Sequence, residues 1–145
     1  FEPVLRREIG DWLTTGAEIF LSGMITSRNG WLETPYVETP ATLRALADGA
    51  VEKRLEGGAR LRFLPGVCQR TPTPDVMRGE EIQVFGAIEP GATGTLVHPG
   101  THGKWVRVEK GALVGFRSFM TGEVFAVLRQ HSILGRLIPE GSRPI

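Results

Sequence analysis

The pattern of apolar residues changes at a break rich in glycine and proline, PGATG, at residues 90–94. Before the break, helical periodicities alternate with single short apolar runs that are typical of strands. After the break, three closely spaced apolar runs predict an antiparallel β-meander, and a helix follows them. A break of this composition is typical of a boundary between units. We therefore predict an α/β fold in two parts, residues 1–89 and residues 90–145.

The predicted elements follow from spacing and from turn residues. The first part opens with a helix whose apolar residues recur at helical spacing up to Leu13, and Gly16 is its expected stop. Thr39 and Pro40 suit the cap and the first position of a helix over 41–49. The other predicted elements are a buried strand over 17–23, a long loop over 24–40, a strand over 59–66, a helix beginning near Gly79, strands near 95–98, 104–109 and 112–117, and a helix over 122–134.

Composition excludes several classes of protein. The chain has 145 residues, of which 41% are hydrophobic and 23% charged, which suits one globular domain or pieces of two smaller ones. The net charge is +1 without a Lys/Arg run, so no nucleic-acid partner is expected. Cys68 is the single cysteine, which excludes a disulfide framework and favours a cytoplasmic location. No apolar run approaches the roughly 20 residues of a membrane span, and no signal peptide is recognisable.

A short turn between two apolar runs, PGTHGK at residues 99–104, has the residue types of an anion cradle. Gly100 and Gly103 permit positive φ, a conformation in which successive amide groups point into one concavity. The Thr101 hydroxyl and His102 offer further hydrogen bonds, and Lys104 offers a positive charge. An ordinary hairpin loop uses the same glycines and proline, so both interpretations stay open here. A metal site on His98 and His102 lacks a carboxylate ligand and is the weakest alternative.

Two acidic residues, Glu80 and Glu81, stand at the predicted start of a helix after Gly79. The helix dipole favours carboxylates in a first turn, which is one sufficient explanation. A general base that accepts a hydroxyl proton is the other. The Thr121-Gly122 pair opens the last predicted helix in the same way, with Thr121 as an expected N-cap or as part of a phosphate site.

The long loop begins with SGMITSRNGW, residues 22–31, at the carboxyl end of a predicted strand. Open α/β sheets bind ligands at that end of their strands. Arg28 suits a substrate carboxylate, and Trp31 suits the wall of a sugar pocket. A polar surface loop anchored by one tryptophan explains the same residues.

Five segments in this order resemble the 2-dehydro-3-deoxygalactonokinase family: SGMITSRNGWLETPYVETP, LPGV, PDVMRGEEIQVFGAI, PGTHGKWV and FMTGEVFAVLRQHSILG. The resemblance runs from about residue 17 to 136. It implies the superfold of sugar kinases, heat-shock-70 proteins and actin, a ribonuclease H-like fold with two α/β domains around a nucleotide cleft. The family's first phosphate loop is not found in this chain. The chain therefore resembles an internal piece, the later half of the sugar-binding domain and the first half of the nucleotide-binding domain.

The resemblance also implies roles for these residues, with ATP and Mg²⁺ as cofactors. The turn resembles the second phosphate loop of such kinases, and the Gly79-Glu80-Glu81 segment is in register with a helix start that carries a catalytic carboxylate. Glu80 is then the expected base for phosphorylation of the 6-hydroxyl of 2-dehydro-3-deoxy-D-galactonate, ahead of Glu81 and Asp75. A hinge is expected near residues 89–94. The residues expected to bind the sugar acid are Ser22, Gly23, Met24, Ser27, Arg28 and Trp31, and those expected to bind phosphate are Gly100, Thr101, His102, Gly103, Lys104, Thr121 and Gly122.

Three alternatives remain at this point. The chain is a kinase for another sugar or sugar acid, a ligand-binding piece without turnover, or a structural interaction domain. The incomplete half-domains also predict exposed sheet edges, which either further chain or a second copy of the protein covers.

Overall fold

Residues 1–139 are described by a computed structural model, which contains four α-helices and nine strands in that range. Three short 3₁₀ helices, Gly10–Trp12, Gly23–Thr26 and Gly135–Leu137, complete the regular structure of the range. The last part of the predicted second unit, residues 140–145, lies outside the described residues. The helices are α1 (Glu2–Ile9), α2 (Leu43–Asp48), α3 (Glu80–Ala87) and α4 (Thr121–His131). The strands are β1 (Glu18–Leu21), β2 (Tyr36–Glu38), β3 (Val51–Arg54), β4 (Arg60–Phe63), β5 (Gly66–Gln69), β6 (Asp75–Met77), β7 (Gly94–His98), β8 (Gly103–Glu109) and β9 (Ala112–Phe119).

Three sheets of three strands organise the described residues. In the first, β4 is central, parallel to β1 and antiparallel to β3. In the second, β5 is central, parallel to β2 and antiparallel to β6. The third is the antiparallel meander β7-β8-β9, with one irregularity of register between Arg107 and Val108. The mixed α/β class and the predicted meander are confirmed.

Four strands lie where the sequence analysis predicted none: β2, β3, β5 and β6. Each has only three or four residues, and their sequences, unlike RLRF in β4, do not alternate apolar with polar residues. The predicted strand at 17–23 is shorter than expected. It is also less buried, with Phe20 61% exposed, because β1 is an edge strand. Helix α1 ends at Ile9 and a 3₁₀ turn follows it.

The predicted cap of the second helix was wrong. Thr42, rather than Thr39, precedes α2, and its hydroxyl oxygen accepts a hydrogen bond from the amide of Ala45 at 3.1 Å. Thr39 instead continues from β2, where its amide donates to the carbonyl oxygen of Cys68. An N-cap side chain accepts a hydrogen bond from the amide of the second or third helical residue, and Thr42 lies three residues before Ala45, the third residue of α2.

Two apolar clusters form the core. The smaller one is centred on Leu55, Leu61 and Phe63 and packs under β1 and α1. The larger one takes residues from both sides of the 90–94 segment. Its buried members are Ala41, Leu46, Val67, Met77, Val84, Val106, Val108, Leu113 and Phe116.

Backbone hydrogen bonds also cross the 90–94 segment. Ala41 and Leu113 exchange two of them, both 2.8 Å long, so residue 41 extends the meander at β9. The Gln69 side-chain oxygen accepts from the amide of Phe116 at 3.0 Å. The domain boundary stays a prediction, and the packing on its two sides is continuous. None of the described helices is long and apolar enough to cross a membrane.

Candidate active site

The start of helix α3 lies directly against the start of the 22–31 loop. Gly79 has φ +115°, a backbone conformation that residues other than glycine rarely adopt. A Cβ atom on Gly79 would lie 3.1 Å from the Cα atom of Gly23, a tighter contact than most Cβ atoms make. These two glycines therefore let the loop meet the residues that open α3, and they bring Gly23 next to the segment that carries Glu80.

Glu80 and Glu81 have different environments. Glu81 is fully buried, and both of its carboxylate oxygens accept a hydrogen bond from the amide of Gly79 at 2.8 Å. Burial raises the pKa of Glu81 from 4.5 to about 7, because removal from water disfavours the charged form, although the Gly79 hydrogen bond acts in the opposite direction. Glu80 is half-buried, and its Oε2 atom accepts from the amide of Arg78 at 3.1 Å.

A cleft of about 540 Å³ joins the start of α3 to the predicted phosphate turn. Glu80 lines this cleft from one side, and the turn between β7 and β8 lines it from the other. Glu81 is not among its lining residues. The other lining residues are Gln83, Val97, His98, Pro99, Gly100, Thr101 and His102. The structure thus brings together one predicted catalytic carboxylate and the core of the predicted phosphate turn.

The amide groups of the turn are candidate donors to a ligand. Within the described part of the chain, the amide groups of Gly100, Thr101 and His102 donate no hydrogen bond. The positive φ predicted for the glycines was wrong: neither Gly100 nor Gly103 adopts it, and Gly103 is already in β8, opposite Phe119. The free donors arise from the turn itself rather than from a left-handed glycine.

The carbonyl groups of the same turn face helix α4. The oxygens of Gly100 and Thr101 accept from the amides of Gly122 and Glu123, at 3.2 and 3.1 Å. The His102 ring contacts the Glu123 carboxylate. Met120, not Thr121, is the N-cap of α4, and no side chain caps the helix there. The Gly122 amide is therefore used inside the protein, which differs from its predicted role as a phosphate donor.

Lys104 is directed away from the cleft. Its side chain is buried, and its ammonium group donates to the Val76 carbonyl oxygen at 3.1 Å and to the Ser118 hydroxyl. The Ser118 amide and hydroxyl donate in turn to the Asp75 carboxylate, at 2.7 and 2.8 Å. Lys104 and Asp75 thus join β6 to β8 and β9. Because a buried ammonium must be paired, this arrangement satisfies Lys104 without a phosphate.

The predicted sugar-acid loop divides into exposed and packed residues. Ser22, Met24 and Arg28 are exposed, and Arg28 has no hydrogen-bond or ion-pair partner among the described residues. The Ser27 hydroxyl donates to the Met24 carbonyl oxygen at 2.8 Å and closes a local turn. Trp31 differs from its predicted place in a pocket wall. It belongs to the smaller core cluster, with its ring 5.4 Å from that of Phe63, in the anchoring role that was its alternative.

Arg78 is a functional candidate that the sequence analysis missed. Its guanidinium contacts the backbone and hydroxyls of Thr26 and Thr34 at the base of the loop, and it lies over the ring of Tyr36. The only signal in the sequence was its position directly before the Gly79-Glu80 pair. An arginine at that position is equally compatible with solvent exposure, so its partners had to come from the structure.

The sequence of this chain is similar to those of known kinases. Residues 1–144 match the family model described as 2-keto-3-deoxy-galactonokinase, and the chain therefore belongs to this kinase family. Over 125 residues, 84% of this chain and 40% of the relative, it is 45% identical to the probable 2-dehydro-3-deoxygalactonokinase DgoK1 of Rhizobium meliloti strain 1021. Over 137 residues, 94% of this chain and 46% of the relative, it is 34% identical to the 2-dehydro-3-deoxygalactonokinase of Escherichia coli K12.

A solved structure shares the fold. The chain superposes with a TM-score of 0.87 on the crystal structure of a Sinorhizobium meliloti protein described as a candidate 2-dehydro-3-deoxygalactonokinase. The two are 37% identical, and the match covers 98% of this chain and 48% of that one. The resemblance noted in the sequence is confirmed. The chain spans less than half the length of each of these relatives.

Proposed function

We propose that this chain forms part of an ATP-dependent kinase that phosphorylates 2-dehydro-3-deoxy-D-galactonate at its 6-hydroxyl. One observation carries the proposal: a half-buried carboxylate, Glu80, lines a single cleft with residues 100–102, whose amides donate no hydrogen bond within the described residues. Membership of the kinase family supports the reaction class, and the names of two relatives support the substrate. The actin-like two-domain architecture and a cytoplasmic location are part of the same proposal.

In this proposal Glu80 is the catalytic base. Its carboxylate lies on the cleft surface, and the hydrogen bond from the Arg78 amide fixes the orientation of one oxygen. The free oxygen then orients the substrate hydroxyl and accepts its proton as the phosphoryl group moves. Glu81 has a pKa better matched to neutral pH, but its burial outside the cleft separates it from a substrate. Glu81 instead supports the start of α3 through Gly79.

The turn residues fit the phosphates of ATP. Within residues 1–139 the amides of Gly100, Thr101 and His102 donate to no acceptor, and phosphate oxygens accept hydrogen bonds from such groups. The half-buried His98 faces the same cleft, with Nδ1 3.1 Å from the Gln83 side-chain oxygen and Nε2 buried without a partner in the described range. When Nδ1 carries the proton, Nε2 is an acceptor.

Mg²⁺ fits the same cleft as a phosphate-bound ion. No group of three or more His, Cys, Asp or Glu residues within 1–139 is arranged to hold a metal. Mg²⁺ commonly keeps several waters and uses one or two carboxylates plus substrate phosphates, so Glu80 and the His98 side of the cleft are compatible with it. When bound, Mg²⁺ neutralises charge on the phosphates during transfer.

Arg28 is the cation proposed for the substrate carboxylate. It is exposed and has no partner among the described residues, and it belongs to the loop that meets α3 through Gly23 and Gly79. A guanidinium binds a carboxylate through two parallel hydrogen bonds, which orients as well as attracts it. Ser22, Gly23, Met24 and Ser27 complete the proposed sugar-acid site. Gly103 and Lys104 begin β8 directly after the phosphate turn, and Thr121 opens α4, whose Gly122 and Glu123 amides bind the carbonyl groups of that turn.

The test is a coupled ADP-release assay on the longest chain that contains this sequence, termed the parent chain. The substrates are 2-dehydro-3-deoxygalactonate, 2-dehydro-3-deoxygluconate and neutral sugars, each with Mg-ATP. We expect turnover of the keto-deoxy acids only. In Glu80→Gln, kcat should fall by about 100- to 10,000-fold with little change in the KM of the sugar acid.

Glu56→Gln is the matched control, because Glu56 is exposed, does not line the cleft and lies outside the predicted hinge. It should retain wild-type kcat. A folded parent chain that turns over no sugar acid would overturn the proposed function. Wild-type kcat in Glu80→Gln would overturn only the assignment of the base.

A further inference from the structure

Arg78 makes an unusually complete set of contacts for a residue outside the core. Its Nη1 atom donates to the Thr26 carbonyl oxygen at 2.7 Å, to the Thr26 hydroxyl at 2.8 Å and to the Thr34 hydroxyl at 2.6 Å. Its Nη2 atom donates to the Thr34 carbonyl oxygen at 3.0 Å, and its Nε atom to the Tyr36 hydroxyl at 3.4 Å. The guanidinium carbon also lies 4.2 Å from the centre of the Tyr36 ring. Every guanidinium nitrogen is therefore engaged inside the protein.

The two threonines that Arg78 contacts close the base of the predicted sugar-acid loop. Thr26 and Thr34 are both buried, at 0% and 1% exposure, and the amide of Thr34 donates to the Thr26 carbonyl oxygen at 3.0 Å. The Thr26 hydroxyl donates to Gly23, and the Thr34 hydroxyl donates to Leu64. Arg78 thus contacts both ends of the loop segment 27–33, which contains the exposed Arg28.

The same residue is joined to the proposed base. The amide of Arg78 donates to Glu80, and Gly79 between them packs on Gly23. The side chain of Arg78 therefore holds the loop while its backbone holds the Glu80 carboxylate. A shift of the loop relative to Glu80 requires that these hydrogen bonds lengthen or break.

We propose that Arg78 is a positioning residue that sets the distance between the sugar-acid loop and Glu80. This inference rests on the proposed function. Arg78 does not bind the substrate itself, because its nitrogens are occupied and the Tyr36 ring covers one face of its guanidinium. Phosphoryl transfer depends on the placement of the acceptor hydroxyl, and a displacement of about 1 Å can lower the rate about 100-fold. The fork of an arginine meets all these acceptors at once, whereas a lysine ammonium meets only some of them.

The experiment uses Arg78→Lys in the parent chain, with Arg70→Lys as its matched control. Arg70 is exposed, and its one ion-pair partner among the described residues is Glu38 on the surface, at 2.9 Å. For Arg78→Lys we expect kcat/KM for the sugar acid to fall about 10- to 100-fold, with the KM of ATP within about twofold of wild type. Arg70→Lys should leave both constants within about twofold. Amide hydrogen exchange should accelerate in residues 23–34 of Arg78→Lys and remain unchanged in α4.

A second variant, Thr34→Val, keeps the volume of the side chain and removes the hydroxyl acceptor of Arg78. It should lower kcat/KM in the same direction, and its effect should be smaller in the Arg78→Lys background, because both changes remove the same hydrogen bond. Thr34→Val tests the inference by itself if Arg78→Lys does not fold.

The outcomes separate this inference from the proposed function. Wild-type kcat/KM in Arg78→Lys, or a fall that accompanies unchanged exchange in residues 23–34, would overturn the positioning role. If the parent chain phosphorylates no sugar acid, the proposed function fails and the placement of a substrate by Arg78 fails with it. If amide exchange in residues 23–34 still accelerated in Arg78→Lys, Arg78 would have only a structural role, as an anchor of the loop. A rise in the KM of ATP alone would place Arg78 on the nucleotide side and overturn the inference.

Discussion

Glu81 gives the sharpest test of the electrostatics at the start of α3. Its pKa is raised from 4.5 to about 7 because the carboxyl group is fully buried. Between these two values the folded protein holds a proton that the unfolded chain has lost. The free energy of unfolding should therefore fall as the pH rises through this window. The rise in the pKa of Glu81 corresponds to a loss of about 3 kcal/mol of unfolding free energy across this window.

Glu81→Gln removes the titrating group and keeps a neutral side chain of similar size. Its amide oxygen can still accept a hydrogen bond from Gly79. Stability should therefore vary less with pH in the variant than in the wild type. We expect the stability of the variant relative to wild type to improve by about 3 kcal/mol between about pH 4.5 and pH 8. Chemical denaturation of both proteins across this range measures the difference, and groups that titrate identically in both proteins cancel.

A direct measurement uses ¹³C NMR of glutamate carboxyl carbons. One carboxyl signal of the wild type should titrate with a midpoint near neutral pH and be absent from Glu81→Gln. A Glu81 midpoint at or below about pH 4.5 would refute the reasoning, because the Gly79 hydrogen bonds would then outweigh the cost of burial. Parallel stability profiles for the two proteins would refute it independently.

Three substitutions test the packing by their unfolding free energies in denaturant. Gly79→Ala should destabilise the protein by about 1–3 kcal/mol, because φ is +115° and the new Cβ would press on Gly23. Lys104→Met should lower stability by about 1–3 kcal/mol, because the Val76 carbonyl oxygen loses its ammonium donor. Leu61→Ala should lower it by about 2–5 kcal/mol, because Leu61 is fully buried in the smaller core cluster.

Each of these three stability predictions has an outcome that would contradict it. Gly86→Ala is the control for Gly79, because a Cβ there meets no atom within 4 Å, and alanine should stabilise α3 by about 0.5–1 kcal/mol. Equal effects at the two glycines would exclude strain at Gly79. Unchanged stability in Lys104→Met with a raised KM for ATP would restore the predicted phosphate role. Leu43→Ala, at an exposed position, should cost much less than Leu61→Ala.

Local patterns predicted those elements that carry their own signal. Helix α3 begins after Gly79, as the apolar spacing of Ile82, Val84 and Phe85 predicts, and β8 shows the expected alternation of buried and exposed residues. These elements are long enough for the periodicity to appear. β2 and β6, with three residues each, are too short to show it.

The directions of side chains in the candidate site depend on contacts between distant parts of the sequence. Lys104 was correctly placed next to the turn, yet Ser118 and Val76 turn its ammonium away from the cleft. Arg78 and Thr34 are far apart in the sequence, and no periodicity relates them. The pair Glu80 and Glu81 was found from the helix start, but only packing separates the cleft-lining carboxylate from the buried one.

The pairing of Ala41 with Leu113 has a consequence for the order of synthesis. A ribosome makes residue 41 long before the strand that completes its hydrogen bonds. Until β9 emerges, Ala41 and the nearby Leu46 have no finished core to enter, although both are almost completely buried at the end. Contacts this distant along the chain slow folding, because a large loop must close before they form. Val67, Met77 and Val84 of the same cluster are made earlier, so the core around α2 becomes complete only once β8 and β9 have been made.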